Sequence, residues 1–166
     1  MKIVIHPNKI LNTKAKTLDI KQILSKATHD LIADMSKTML KADGAGLAAP
    51  QIGKSIRLAV INTKDGVIAL INPRITKKSL IKEWGDEGCL SVPGYFGEVK
   101  RYKKITCEYT DRKGAKKIIK AQGLLARVIQ HELDHLDGIL FISKSRNLRK
   151  VEDMASEALG RIREEA

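Results

Sequence analysis

The run Gln130-His131-Glu132-Leu133-Asp134-His135 places two imidazoles four residues apart, with a carboxylate beside the first. On an α-helix this spacing stacks both rings on one face, a turn apart, where they can grip a single metal ion. Glu132 then lies near whatever water that ion holds. This is the metal-ligand and general-base pattern of H-E-x-x-H hydrolases. Half of the chain's four histidines fall in this window, which favours a ligand pair over an exposed polar helix carrying two chance histidines. Leu124, Leu125, Val128, Ile129, Leu133 and Leu136 recur around it at three- and four-residue intervals. Gly138 follows where a left-handed cap would end a helix. The pattern predicts a central helix with its ligand face turned to the core. Asp134 is expected at the helix surface or beside a ligand rather than on the metal.

A catalytic site of this kind uses three protein ligands and keeps a fourth position for water. Candidates for the third are Cys89, Cys107, His6, His29 and several carboxylates. Cys89 sits in Glu87-Gly88-Cys89-Leu90-Ser91-Val92-Pro93-Gly94, bracketed by glycines that let the backbone turn and approach another group. Cys107 lies in Ile105-Thr106-Cys107-Glu108-Tyr109, whose alternation reads as a packed thiol on a strand face. A disulfide between the two is discounted, since nothing in the sequence points to secretion. A third segment, Gly44-Ala45-Gly46-Leu47-Ala48-Ala49-Pro50-Gln51, brings small residues to just before a lone amide. Its glycine spacing is not that of a dinucleotide fingerprint. Small residues let backbone come close to a ligand, and Gln51 can donate to a developing oxyanion.

Taken in order, these three segments resemble the three motifs of the peptide deformylase family, and the resemblance runs from His6-Pro7 to Phe141. It implies a metal-dependent hydrolase that removes the formyl group from the N-terminal formyl-methionine of newly made proteins. It further implies that Cys89, His131 and His135 hold the metal and that Glu132 is the general base and acid. Gln51 and the Leu90 backbone amide would form the oxyanion hole, and backbone near Ala45 and Gly46 would bind an extended substrate. Val128, one turn before Glu132, is placed to line an apolar pocket for the methionine side chain. A thiolate ligand softens the site. Together with the resemblance this makes Fe(2+) the expected ion, with Zn(2+), Ni(2+) and Co(2+) as alternatives. No family motif extends past about Ser143.

At 166 residues the chain is expected to form one domain with a real core. No apolar stretch approaches a membrane span, the Met-Lys-Ile-Val-Ile start lacks a signal-peptide plan, and two cysteines suit a reducing cytoplasm. The net charge of +12 suggests transient contact with RNA-rich particles such as the ribosome, set against a merely lysine-rich solvated surface. A non-enzymatic nucleic-acid-binding protein would leave the metal constellation unexplained. A metallopeptidase would leave the cysteine and the Gln51 loop unexplained. The expected fold is α+β: antiparallel strands around a central metal-binding helix, with an N-terminal and a C-terminal helix. Asp19 is expected to open one helix carrying Ile20, Ile23, Leu24, Ala27, Leu31, Met35 and Met39. Strand-like runs span 57–61, 67–71, 75–82, 105–110 and 116–121, with hairpin turns at Lys64-Asp65-Gly66 and Asp111-Arg112-Lys113-Gly114. Asn147 is expected to cap a last amphipathic helix with Leu148, Val151, Ala155, Leu159 and Ile162.

Overall fold

The run Leu58-Ala59-Val60-Ile61 is apolar at every position, and a strand sends alternate side chains to opposite faces. Such a strand needs cover on both sides. In the computed structural model, which describes residues 1–152, the run opens β2 (Leu58–Thr63). It belongs to a five-stranded sheet ordered β1-β2-β3-β6-β7, completed by β1 (Gly46–Ala48), β3 (Gly66–Lys78), β6 (Lys104–Thr110) and β7 (Lys116–Gln122). Every pairing in it is antiparallel. Leu58 and Val60 pack with Met35 and Met39 of α2 (Lys26–Lys41). Ile61 packs instead with Ile129 and Leu133 of α3 (Gly123–Leu136). The sheet is therefore held between two helices, and the fold is α+β as expected.

The N-terminal helix is broken where one was expected. Asp19 does cap a helix, in a reciprocal box with Gln22, but this α1 (Ile20–Ile23) lasts one turn. The Ser25 hydroxyl then accepts from the Thr28 N–H and starts α2, while the Thr28 hydroxyl donates to the Gln22 carbonyl. A side-chain cap here competes with continued helix for the same backbone groups. The runs 67–71 and 75–82 are not separate strands either, since β3 continues through a bulge between Ile71 and Arg74. At that bulge Asn72 has φ 49° and exchanges two hydrogen bonds with the Leu18 backbone.

A second, three-stranded sheet orders β4 (Lys82–Cys89), β5 (Val92–Tyr102) and β8 (Arg146–Lys150). The first two form a hairpin in the stretch between the expected strands 75–82 and 105–110. The third replaces the start of the expected last helix. Asn147 caps nothing there: it has φ 51°, donates to Glu98 and lies in a strand paired with β5. An open sheet edge supplies backbone partners that a short, highly charged segment cannot supply for itself as helix. Ala155, Leu159 and Ile162 lie outside the described residues.

The helix carrying the two histidines ends as its sequence predicts. Gly138 has φ +75°, and a side chain there would also strike the Asn12 carbonyl carbon at 2.8 Å. The Leu136 carbonyl accepts from the Ala15 N–H at 2.9 Å and the Arg57 guanidinium at 3.3 Å. The C-terminal end of the histidine-bearing helix is thereby anchored to the rest of the fold.

Candidate active site

Strand β4 ends at Cys89, the chain turns through Leu90 and Ser91, and β5 leaves from Val92. That turn faces the His131 and His135 rings of α3. Among the described residues, Cys89, His131 and His135 form a cluster whose donor atoms lie within 4.8 Å of one another. The Cys89 Sγ is 3.3 Å from His135 Nε2, and the two Nε2 atoms are 3.2 Å apart. A thiol and two imidazole nitrogens converging so closely leave lone pairs facing one another. This set fits a divalent ion that accepts sulfur and nitrogen. Cys107 is buried on the inner face of β6, and burial pushes its thiol up to about 11. His6 and His29 are exposed and do not belong to the cluster, His29 reaching the Arg112 carbonyl.

Gln51 comes to the same place through a 3₁₀ turn, Ala49–Ile52. Its Oε1 accepts from the Ala48 N–H at 2.8 Å, so the amide nitrogen must be the end facing the site. That nitrogen donates to the Ser91 hydroxyl at 3.3 Å and approaches the Cys89 sulfur at 3.5 Å. The N-terminal stretch ties these two segments together: the Val4 N–H donates to the Gln51 carbonyl and the His6 N–H to the Ser91 carbonyl.

Glu132 is buried against β1, and its Oε2 has no partner among the described residues. The approach to Gly46 is so close that a Cβ there would stand 2.7 Å from the carboxyl carbon. Burial pushes Glu132 up to about 7, against the opposing charge of His131. Burial likewise holds His135 well below the usual imidazole range. For His131 burial also lowers the value, but hydrogen bonding to Cys89 and Glu87 outweighs it and raises it to about 10.

These groups open onto a cleft of about 350 Å³. Ala45, Gly46, Leu90 and Val128 all line it, together with Leu124, which is 73% exposed. A family model described as polypeptide deformylase matches residues 1–151. The chain belongs to the polypeptide deformylase family. It is 48% identical to peptide deformylase 1 of Bacillus anthracis over 87% of this chain and 91% of that one. It is 45% identical to the peptide deformylase of Symbiobacterium thermophilum over 95% of this chain and 72% of the relative. A Met-Ala-Ser-bound crystal structure of the Acinetobacter baumannii peptide deformylase superimposes with a TM-score of 0.83 at 32% identity, covering 87% of this chain and 97% of that one. This deformylase is accordingly an enzyme of a metal-dependent family that removes the formyl group from nascent proteins.

The sequence reading missed what holds the deformylase site in place. Glu87 is buried and accepts from His131 Nδ1 at 2.9 Å, from Arg101 at 2.9 Å through two nitrogens, and from Arg127 at 2.9 Å. Burial raises its pKa, but the bonds from Arg101 and His131 prevail and bring it down to about 2. A carboxylate on Nδ1 holds the His131 ring so that Nε2 points into the cluster, its lone pair free once the ring is neutral. Arg101 also pairs with Asp134, which in turn binds Lys144. Asp134 is therefore a buttress behind the histidines, off the donor cluster. The Arg127 guanidinium is held by Glu87 and by the Glu83, Gly85 and Val99 carbonyls. One signal for Glu87 was available. A strand through Cys89 puts residues two apart on one face.

Proposed function

We propose that Cys89, His131 and His135 hold one divalent ion, Fe(2+) in the native protein, and that Glu132 carries the proton traffic of deformylation. The observation that carries this is the orphaned, buried Glu132 carboxylate beside three convergent donors, under a backbone that has no side chain at Gly46. When bound, the ion supplies Lewis acidity toward the formyl oxygen and acidifies water at neutral pH. Buried beside the three donors and with an oxygen that no other described residue holds, Glu132 is suited to take a proton from the attacking water and return it to the departing amine. Formate and a free N-terminal methionine result. Gln51, its amide orientation fixed by Ala48, and the Leu90 N–H donate to the carbonyl oxygen as it gains charge. Backbone at Ala45 and Gly46 receives the extended peptide, and Val128 with Leu124 gives the methionine side chain an apolar wall. Met-Ala-Ser in the A. baumannii relative is the kind of peptide such a cleft would hold.

The chain acts as a single catalytic domain in the cytoplasm, where formylated chains emerge, with transient contact to ribosomal RNA. Among the described residues no helix is long and apolar enough to cross a membrane. The deciding experiment loads the protein with Fe(2+) under anaerobic conditions and supplies formyl-Met-Ala-Ser beside unformylated Met-Ala-Ser. Formate from the first and an intact second peptide support the reading. Cleavage of the Met–Ala bond would make the protein a peptidase instead.

A further inference from the structure

We infer that the cleft behind α3 is a docking surface for the phosphate backbone of structured RNA. This inference rests on the proposed ribosomal contact and names the surface that makes it.

Thirteen of the chain's basic residues and six of its acidic ones lie between Arg74 and Lys120. The fold gathers part of that excess into a polar cleft of about 580 Å³, lined by seven cationic side chains and only two carboxylates, Asp134 and Asp137. Those two are already engaged, Asp134 by Arg101 and Lys144, and Asp137 by Arg57. Among the described residues, Lys78, Lys82 and Lys100 have no carboxylate in ion-pair range.

These three lysines rest on aromatic rings. Lys78 and Lys82 both converge on Tyr102, at 5.1 and 4.4 Å from its centroid, and Lys100 lies 5.7 Å from that of Trp84. Two ammonium groups drawn to one ring repel each other unless an anion joins them. Lys78 of β3 and Lys82 of β4 meet at Tyr102, while Lys100 of β5 adds a charge over a second ring, Trp84. A ladder of phosphates matches that spread better than a single small anion.

Helix geometry keeps this surface clear of the reaction. Gln130, Leu133, Asp134 and Asp137 face the cleft, whereas Val128, His131 and Glu132 face the site. Docked RNA would leave the peptide mouth open. Leu80 and Ile81, exposed at the nearby β3–β4 turn, would suit a lipid surface. The cations are exposed along a cleft rather than on a flat face, which a rounded phosphate backbone can enter and a flat bilayer cannot follow.

The test measures fluorescence anisotropy of a labelled RNA hairpin of about 20 base pairs against salt, with anionic phospholipid vesicles and polyglutamate as competing probes. Each phosphate-contacting lysine contributes about one unit to the salt slope. Lys78→Gln, Lys82→Gln and Lys100→Gln singly should each lower the slope by about one, and the triple variant should bind about tenfold more weakly or worse. The control removes the same charge from the far side of the molecule: Lys21→Gln, Lys37→Gln and Lys41→Gln together should weaken binding less than about twofold. Formate release from a formyl-methionyl peptide should remain at the wild-type rate in both triple variants, showing that they are folded. Absence of RNA binding by the wild type would overturn the ribosomal contact as well as this inference. Equal loss in both triples would leave the contact standing and overturn its location. Vesicles or polyglutamate that bind as tightly as RNA, with the same lysine dependence, would overturn the assignment to RNA.

Discussion

Glu132 and Glu87 are both buried carboxylates within reach of His131, and their surroundings push them apart. Glu132 faces small residues and among the described residues no cation forms an ion pair with it, so burial prevails over the more distant charge of His131 and raises it to about 7. Glu87 collects donors from Arg101, Arg127 and His131, and it stays ionised down to about 2. In the proposed mechanism the same functional group then serves as proton carrier at one position and as fixed anchor at the other. Glu132→Ala is expected to retain its metal, by elemental analysis, while turnover falls about 10²–10⁴-fold. Near-normal turnover in a metal-loaded variant would remove Glu132 from proton transfer. Glu87→Gln should act differently, loosening the metal about 10–100-fold in a chelator competition because His131 loses its orienting partner. The same variant should flatten the acid limb of stability. The wild-type carboxylate has a folded pKa below its ordinary value of 4.5, so its contribution is full above that pH and lost as pH falls toward about 2. The thiols divide as clearly. In the iron-loaded enzyme, peroxide is expected to oxidise Cys89 to the sulfenic acid and beyond, with Cys107 spared by its burial and raised pKa. Mass spectrometry that places added oxygen on Cys107 alone would reverse that assignment.

Elements with one strong period were legible, and those defined by competing local bonds were not. Helix α3 shows its apolar stripe, its ligand pair and its terminal glycine in one stretch of sequence. The break between α1 and α2 leaves no such mark, because Ile23, Leu24, Ala27 and Leu31 keep a helical rhythm straight across it. Only the Ser25 and Thr28 hydroxyls interrupt the helix. Strand β4 reads Lys-Glu-Trp-Gly-Asp-Glu-Gly-Cys, too charged and glycine-rich to announce a strand, and its stability comes from pairing with β5. The Cys89 site was therefore reached by resemblance, while the carboxylate two residues before it went unread. At β1 the decisive feature is a missing side chain. Gly46→Ala should force Glu132 aside, since overpacking of this kind costs about 1–3 kcal/mol. The expected result is a lowered melting temperature together with a lowered kcat. An alanine variant equal to wild type in both would show that β1 and α3 can separate freely.

At the scale of the whole molecule, the ligand helix is shared property. One face lines the candidate active-site cleft, another meets the five-stranded sheet, and a third walls the basic cleft. The charge balance made a basic surface legible, but not where the charge would gather. Residues as far apart in sequence as Lys78 and Lys100 meet at the cleft only after β3 and β5 are laid in their sheets. Strand β2 carries a different consequence. With α2 on one face, α3 on the other, and β1 and β3 at its edges, its peptide groups have no local route to solvent. The amides of Leu58 to Ile61 should exchange with deuterium only when the entire molecule opens, whereas those of β8 exchange through brief local departures. The slowest amides would then report the global unfolding free energy directly. Adding a divalent ion should slow them by the factor with which that ion favours the folded chain. Mass-resolved exchange in which β2 labels as fast as β8 would mean that the sheet opens without the helices.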